Sequence, residues 1–285
     1  MYLLYIVFCK FEEKENKLYS GYILRKNLPD QKSVASFTEE LYEYLFPVVD
    51  NEHEYLEQHE LVLLRLKVHL HTLITTCING SNNNVNNMAE YFFDQLSITS
   101  TALLKDAQFI LDYDPAANSI EEIILSYPGF YAIAIYRLAH ILYKQKIEIL
   151  PRMMSELAHS KTGIDINAGA TIGCPFFIDH GTGIVIGETT VIGNSVKLYQ
   201  GVTLGALAVR KEDAETKRHP SIEDNVVIYA GSTILGGETV IGHDCIIGGN
   251  TWITESIPAF SVVYHNAQTV VKDRRDFKKP VNFII

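Results

Sequence analysis

The chain changes its pattern of apolar and polar positions near residue 160. Before that point apolar residues recur at helical spacing. Phe37 to Phe46 carries the pattern and stops at Pro47, and Glu54 to Cys77 is long and periodic. Met88 to Leu111 predicts a further helix, and the polar run from Gly80 to Asn87 reads as a turn or loop ahead of it. Ser119 and Glu122 have the spacing of a capping box before Ile123, Ile124 and Leu125, and Pro128 suits the first turn of a helix reaching to about Tyr143.

After that point the period becomes six. Aliphatic residues fall at Ile166, Ile172 and Ile178, then after a two-residue slip at Ile186, Ile192, Leu198 and Leu204. They resume at Ile222, Ile228 and Ile234, and after a one-residue slip at Ile241, Ile247 and Ile253. Glycine directly follows the aliphatic at 172, 186, 192, 204, 241 and 247. A period of six suits neither an amphipathic helix nor a hairpin. It suits short parallel strands joined by tight turns, each repeat sending one aliphatic into a continuous core. The predicted class is α+β: an all-α segment over 1–160, a parallel β-helix of hexapeptide repeats over 161–262, and a tail over 263–285. The charged stretch from Ala206 to His219 breaks the period and is a candidate active-site loop extruded from the coil.

Composition supports this division. Of 18 glycines, 15 lie between Gly163 and Gly249. A net charge of -10 argues against nucleic acid as a main partner, because a phosphate backbone calls for a basic surface. Cys9, Cys77, Cys174 and Cys245 form no CxxC pair, and no zinc-finger spacing accompanies them, so reduced thiols in a cytoplasmic protein are expected. The apolar start, Met1 to Cys9, lacks the charged beginning and cleavage site of a signal peptide. Arg65, Lys67, His69 and His71 interrupt the Leu61 to Cys77 stretch, which reads as an amphipathic helix and not a membrane span.

The hexapeptide pattern resembles the left-handed β-helix acyltransferases, and an ordered set of motifs between about 110 and 260 narrows it. Asp114-Pro115-Ala116-Ala117, Tyr127-Pro128-Gly129-Phe130-Tyr131-Ala132 and Tyr136-Arg137-Leu138-Ala139-His140 precede the coil. Within it stand Thr162-Gly163-Ile164-Asp165-Ile166, Phe177-Ile178-Asp179-His180-Gly181-Thr182-Gly183, Ile186-Gly187-Glu188-Thr189, Gln200-Gly201-Val202-Thr203-Leu204-Gly205 and Arg218-His219-Pro220. Together they resemble the serine acetyltransferases, whose handedness and trimeric or doubly trimeric assembly the resemblance then implies.

That resemblance implies acetyl transfer from acetyl-CoA to the hydroxyl of L-serine, giving O-acetylserine for cysteine biosynthesis. Acetyl-CoA enters as co-substrate, and no permanent cofactor or metal is expected. Serine's hydroxyl needs a general base, and imidazole suits neutral pH. The family's histidine pair matches His180 and His219. His180 is favoured as base because Asp165 matches its carboxylate partner, and Glu188 matches the residue that steadies the second histidine. Asp114 and Asp179 match ligands of the serine amino group, and Arg218 the ligand of its carboxylate. The acetyl-CoA contacts implied are the turns at Gly205-Ala206, Ala230 and Gly249, between subunits. The terminal Ile285 matches the residue that enters O-acetylserine sulfhydrylase, and feedback inhibition by L-cysteine is also expected.

The chain departs from the family after Leu204, where Gly205-Ala206-Leu207-Ala208 and a longer loop replace a glycine-rich turn. Asn167-Ala168 stands for a common His-Pro, and Val263 to Ala267 for the usual Gly-Val-Pro-Ala. Three other readings compete. A sugar acyltransferase would not need Asp114, Asp179 and Arg218; a zinc carbonic anhydrase of this coil class needs three histidine ligands; a non-catalytic partner of the sulfhydrylase would use Ile285 alone.

Overall fold

The structure is a computed structural model that describes residues 28–48, 52–78, 82–207 and 216–266, together with two short paired strands, Ile6–Phe8 and Gly21–Ile23. Among the described residues six helices precede the coil: α1 (Gln31–Leu45), α2 (Glu52–Cys77), α3 (Asn82–Tyr113), α4 (Ile120–Ser126), α5 (Pro128–Lys144) and α6 (Leu150–Thr162).

Local chemistry sets the helix ends. The Asp30 carboxylate accepts the Ser33 N–H at 3.0 Å, so α1 begins six residues before the apolar pattern does. Helix α3 starts at Asn82, so the asparagine run is the first turn of a long helix and not a loop. Ser119 caps α4 by accepting the Glu122 N–H at 3.1 Å. The Glu122 carboxylate turns back to Asn118, accepting from its backbone N–H at 2.9 Å and from its side chain at 3.0 Å. Helix α6 was not predicted, although Pro151 in its first turn and left-handed Gly163 at its end are helix punctuation.

Helix α2 buries Leu66, Leu70, Leu73, Ile74 and Cys77, a stripe of helical period, and exposes Leu61, Leu64 and Val68. Helix α5 is apolar nearly all round and belongs to two cores. Ile135, Leu138, Ala139 and Leu142 pack with α1, α2, α3 and α6, while Phe130, Ile133, Ala134 and Tyr136 pack on the coil. Gly129 makes that docking possible, because a Cβ there would lie 2.3 Å from the Ile178 carbonyl oxygen. A buried ion pair fixes the same junction. Arg137 Nε donates to Asp106 at 2.6 Å and its Nη2 to the Gly173 carbonyl at 2.9 Å, while Asp106 accepts the Phe176 N–H at 2.8 Å. Removing one partner would strand a buried charge, at a cost on the order of 3–5 kcal/mol.

The coil is a parallel solenoid with three faces, two of five strands and one of four. Every aliphatic of the six-residue pattern is buried. They stack in register: Ile166, Ile186, Leu204, Ile234 and Ile253 on one face, Ile172, Ile192, Ile222 and Ile241 on the second, and Ile178, Leu198, Ile228 and Ile247 on the third. The slips and the loop are absorbed at corners, which leaves this register unbroken.

Cys77, Cys174 and Cys245 form no disulfide among the described residues, and Cys9 lies outside them. No helix among the described residues is long and apolar enough to cross a membrane.

Candidate active site

Two corners of the coil carry the candidate residues. The first lies between strands Phe176–Asp179 and Val185–Ile186. The chain turns there through left-handed backbone at His180 (φ 57°), Gly181 (φ 85°) and Gly183 (φ 81°). Glycine adopts this readily and histidine is among the other residues enriched there; Ser195, Asn225, Asp244, Asn250 and Phe260 take the same backbone at other turns of the coil. The His180 ring projects outward, with 73% of its side chain exposed, and its Nδ1 lies 3.8 Å from the Asp179 carboxylate.

Asp114, which follows α3, reaches this corner. Its carboxylate accepts the Ala116 N–H and the Tyr127 hydroxyl, each at 2.8 Å. Burial raises the Asp179 carboxyl above the usual carboxylate range, and the Asp114 charge adds to this while His180 opposes it. Burial and the bond to Asp114 push the Tyr127 phenol up to about 12. Asp179 pairs in register with Tyr199, which stacks on Tyr229 with ring centres 4.9 Å apart. Two carboxylates beside three tyrosines form an acidic, partly apolar cluster suited to an ammonium group. The motif reading named Tyr127 without a role and did not name Tyr199 or Tyr229; the six-residue spacing, which stacks Tyr199 over Asp179, was the available signal.

The second corner lies between Val185–Ile186 and Val191–Ile192, beneath the returning loop from Thr216 to Pro220. His219 is buried here. Its Nδ1 accepts the Thr189 N–H at 3.1 Å and lies 2.8 Å from Thr189 Oγ1. That hydroxyl oxygen accepts the backbone N–H groups of Arg218 and His219 at 3.0 and 3.1 Å, so its own proton points to Nδ1. Nδ1 is therefore unprotonated and Nε2 carries the ring proton. Burial, with Arg218 and Lys217 adding to it, lowers the His219 pKa to about 4, and Glu188 offsets part of this.

Two expected pairings are not formed within one chain. Glu188 grips the Arg218 guanidinium and accepts the Tyr143 hydroxyl at 3.1 Å, so Thr189, and not Glu188, fixes His219. Asp165 lies 3.7 Å from Arg152, with no hydrogen bond to His180 among the described residues. Both differences arise because side chains of stacked coils and of α6 meet across space, which spacing along the chain does not encode.

The acetyl-CoA candidates divide between the same corners. Gly205 and Ala206 leave the coil on the second, and Ala230 and Gly249 stack on the first, where a Cβ on Gly249 would lie 3.0 Å from the Ala230 carbonyl oxygen. Residues 208–215, with Arg210 and Lys211, and the terminal Ile285 lie outside the described residues. No trio of histidines suitable for zinc occurs among the described residues. Glu156, His159 and Asp165 bring ligand atoms within 4.8 Å of one another, but Arg152 already pairs both carboxylates.

A strand advances about 3.3 Å per residue, so the corners at Gly183 and Glu188 are on the order of 15 Å apart. Two carboxylates with one histidine thus mark one edge of the solenoid, and the Arg218–Glu188 pair with a second, neutral histidine marks another. A hexapeptide-repeat solenoid with an interrupted coil and histidines at its corners defines an acyltransferase of the β-helix class.

Known proteins place the chain more closely. A serine acetyltransferase from Synechococcus elongatus is 55% identical over 155 residues, 53% of this chain and 48% of that protein, so the match spans about half of that relative's length. The Bacillus subtilis serine acetyltransferase is 44% identical over 181 residues, 63% of this chain and 81% of that protein. A solved serine acetyltransferase isoform 3 from Entamoeba histolytica, in complex with cysteine, is 36% identical with a TM-score of 0.75, covering 84% of this chain and 85% of that one. A solved serine acetyltransferase in complex with CoA is 28% identical with a TM-score of 0.55, covering 81% and 94%. No family model matches the chain. The chain belongs to the serine acetyltransferase family.

Proposed function

We propose that the chain acetylates the hydroxyl of L-serine from acetyl-CoA at a site assembled from the first corner of one copy and the second corner of its neighbour in a trimer. The observation that carries this is the separation of complementary halves. Asp114, Asp179 and His180 lie at the corner before strand Val185–Ile186 and Arg218 and His219 at the corner after it, on the order of 15 Å apart at the rise of a strand and farther than a serine molecule spans. A three-faced solenoid offers both edges to neighbours, and cyclic packing brings unlike edges together.

In the assembled site the serine ammonium meets the Asp114–Asp179 pair and its carboxylate meets the Arg218 guanidinium. His180 takes the hydroxyl proton as the serine oxygen attacks the thioester carbonyl. The tetrahedral intermediate collapses with cleavage of the C–S bond, and the proton passes from His180 to the departing CoA sulfur. His219 is a poor base, because its Nδ1 already receives the Thr189 groups and its Nε2 bears a proton. Its Nε2–H is instead a donor to the oxygen on which charge develops. CoA runs between the copies, past Gly205 and Ala206 on one and Ala230 and Gly249 on the other. Cysteine differs from serine only in sulfur for oxygen, so the same ligands would hold it as a feedback inhibitor.

Thiol release followed with purified protein, serine and acetyl-CoA tests this. Serine-dependent CoA release is expected; release no faster than a serine-free blank overturns it.

A further inference from the structure

Helix α5 ends beside the second corner, and its last turn reaches a residue that the chemistry above leaves unexplained. The Tyr143 hydroxyl donates to Glu188 Oε1 at 3.1 Å, and the other oxygen of that carboxylate grips Arg218. Gly169 makes room for the contact: a Cβ there would lie 2.7 Å from Glu188 Cγ, 2.8 Å from Tyr143 Cζ and 2.9 Å from its hydroxyl. The ring of Tyr143 is itself braced. It lies nearly parallel to His140, 12° between planes and 6.4 Å between centres, and His140 Nδ1 bonds the Ala168 carbonyl at 2.7 Å. Burial lowers the His140 pKa, so the ring is neutral and donates from Nδ1.

We propose that Tyr143 is a positioning residue for serine: through Glu188 it aims the Arg218 guanidinium at the substrate carboxylate, coupling the helical segment to the coil's binding edge. The proposal rests on the assignment of Arg218 to that carboxylate. A glutamate with one anchored oxygen presents the other in a fixed direction, and the guanidinium bound to it keeps its remaining N–H groups aimed outward. Without the tyrosine hydroxyl, Glu188 retains its charge but loses its fixed orientation. The effect therefore falls on serine binding, and proton transfer at His180 is untouched.

Steady-state kinetics of the full-length enzyme separate this from a structural role. Tyr143→Phe removes only the hydroxyl. The KM for serine should rise about five-fold, with kcat within about two-fold, the KM for acetyl-CoA unchanged and the thermal midpoint preserved. Gly169→Ala, which touches neither partner's chemistry but intrudes between them, should give the same signature. In a Glu188→Ala background, Tyr143→Phe should add nothing. An unchanged KM for serine in Tyr143→Phe overturns the relay, as does a joint fall of kcat and thermal midpoint. Arg218→Lys distinguishes the two assignments. If it raises the serine KM while Tyr143→Phe does not, the carboxylate assignment stands and the relay fails; if it leaves the serine KM unchanged, both fail.

Discussion

His219 lies over Gly187 with no space for a side chain between them: a Cβ at position 187 would sit 2.0 Å from the ring's Cδ2 and 2.2 Å from Nε2. Glycine at this corner is a condition for the ring's placement, not for the turn's backbone, since Gly187 has no left-handed φ. Gly187→Ala should displace the ring, lowering kcat by about ten-fold or more while the protein stays folded. Steady-state kinetics beside a thermal melt check this, and a wild-type kcat would contradict the placement.

Thr189 holds both His219 and the loop that carries it. Thr189→Val keeps the shape but leaves Nδ1 without its hydroxyl donor and two backbone N–H groups without their acceptor. A loss of about 1–3 kcal/mol in urea unfolding is expected, together with a fall in kcat. Restoration of both by Thr189→Ser, which returns the hydroxyl, would assign the effect to the hydrogen bonds.

The state of His219 has a pH signature. Its folded pKa, about 4, lies below the ordinary histidine value of 6.5. Between these values the unfolded chain binds a proton that the folded chain refuses. His219 therefore costs the fold nothing above 6.5 and destabilises it progressively as pH falls toward 4. Titration of the histidine ring resonances by NMR should find His219 neutral, with its proton on Nε2, throughout pH 5 to about 8. A ring that becomes protonated at ordinary histidine pH would remove the reason for excluding it as the base.

The coil was legible in the sequence because its physics is local and repeated. Each six-residue unit contributes one aliphatic to a stack, and Ile166, Ile186, Leu204, Ile234 and Ile253 show that slips and a long insertion leave the stack intact. The resemblance named Asp114 and Asp179 together, and the structure brings the two carboxylates to one corner. The partners of Glu188 and Asp165 were not legible, because Arg218 and Arg152 reach them from a returning loop and from α6. The start of α3 was hidden because asparagines favour turns and caps over helical positions. Thr189 stood in a motif without a role, because a threonine in a turn has no chemical signature until its acceptors and donors are in place.

Mixing two inactive variants measures whether the site is shared between copies. His180→Ala destroys the first corner of every copy that carries it, and His219→Ala destroys the second. Random 1:1 assembly of trimers from the two, by co-expression or by unfolding and reassembly together, gives about one quarter of the interfaces an intact first corner from one copy and an intact second corner from its neighbour. Thiol release at saturating serine and acetyl-CoA should therefore recover to about one quarter of the wild-type rate, although each variant alone is nearly inert. A mixed sample no more active than the two variants assayed separately would contradict a site divided between His180 of one copy and His219 of the next.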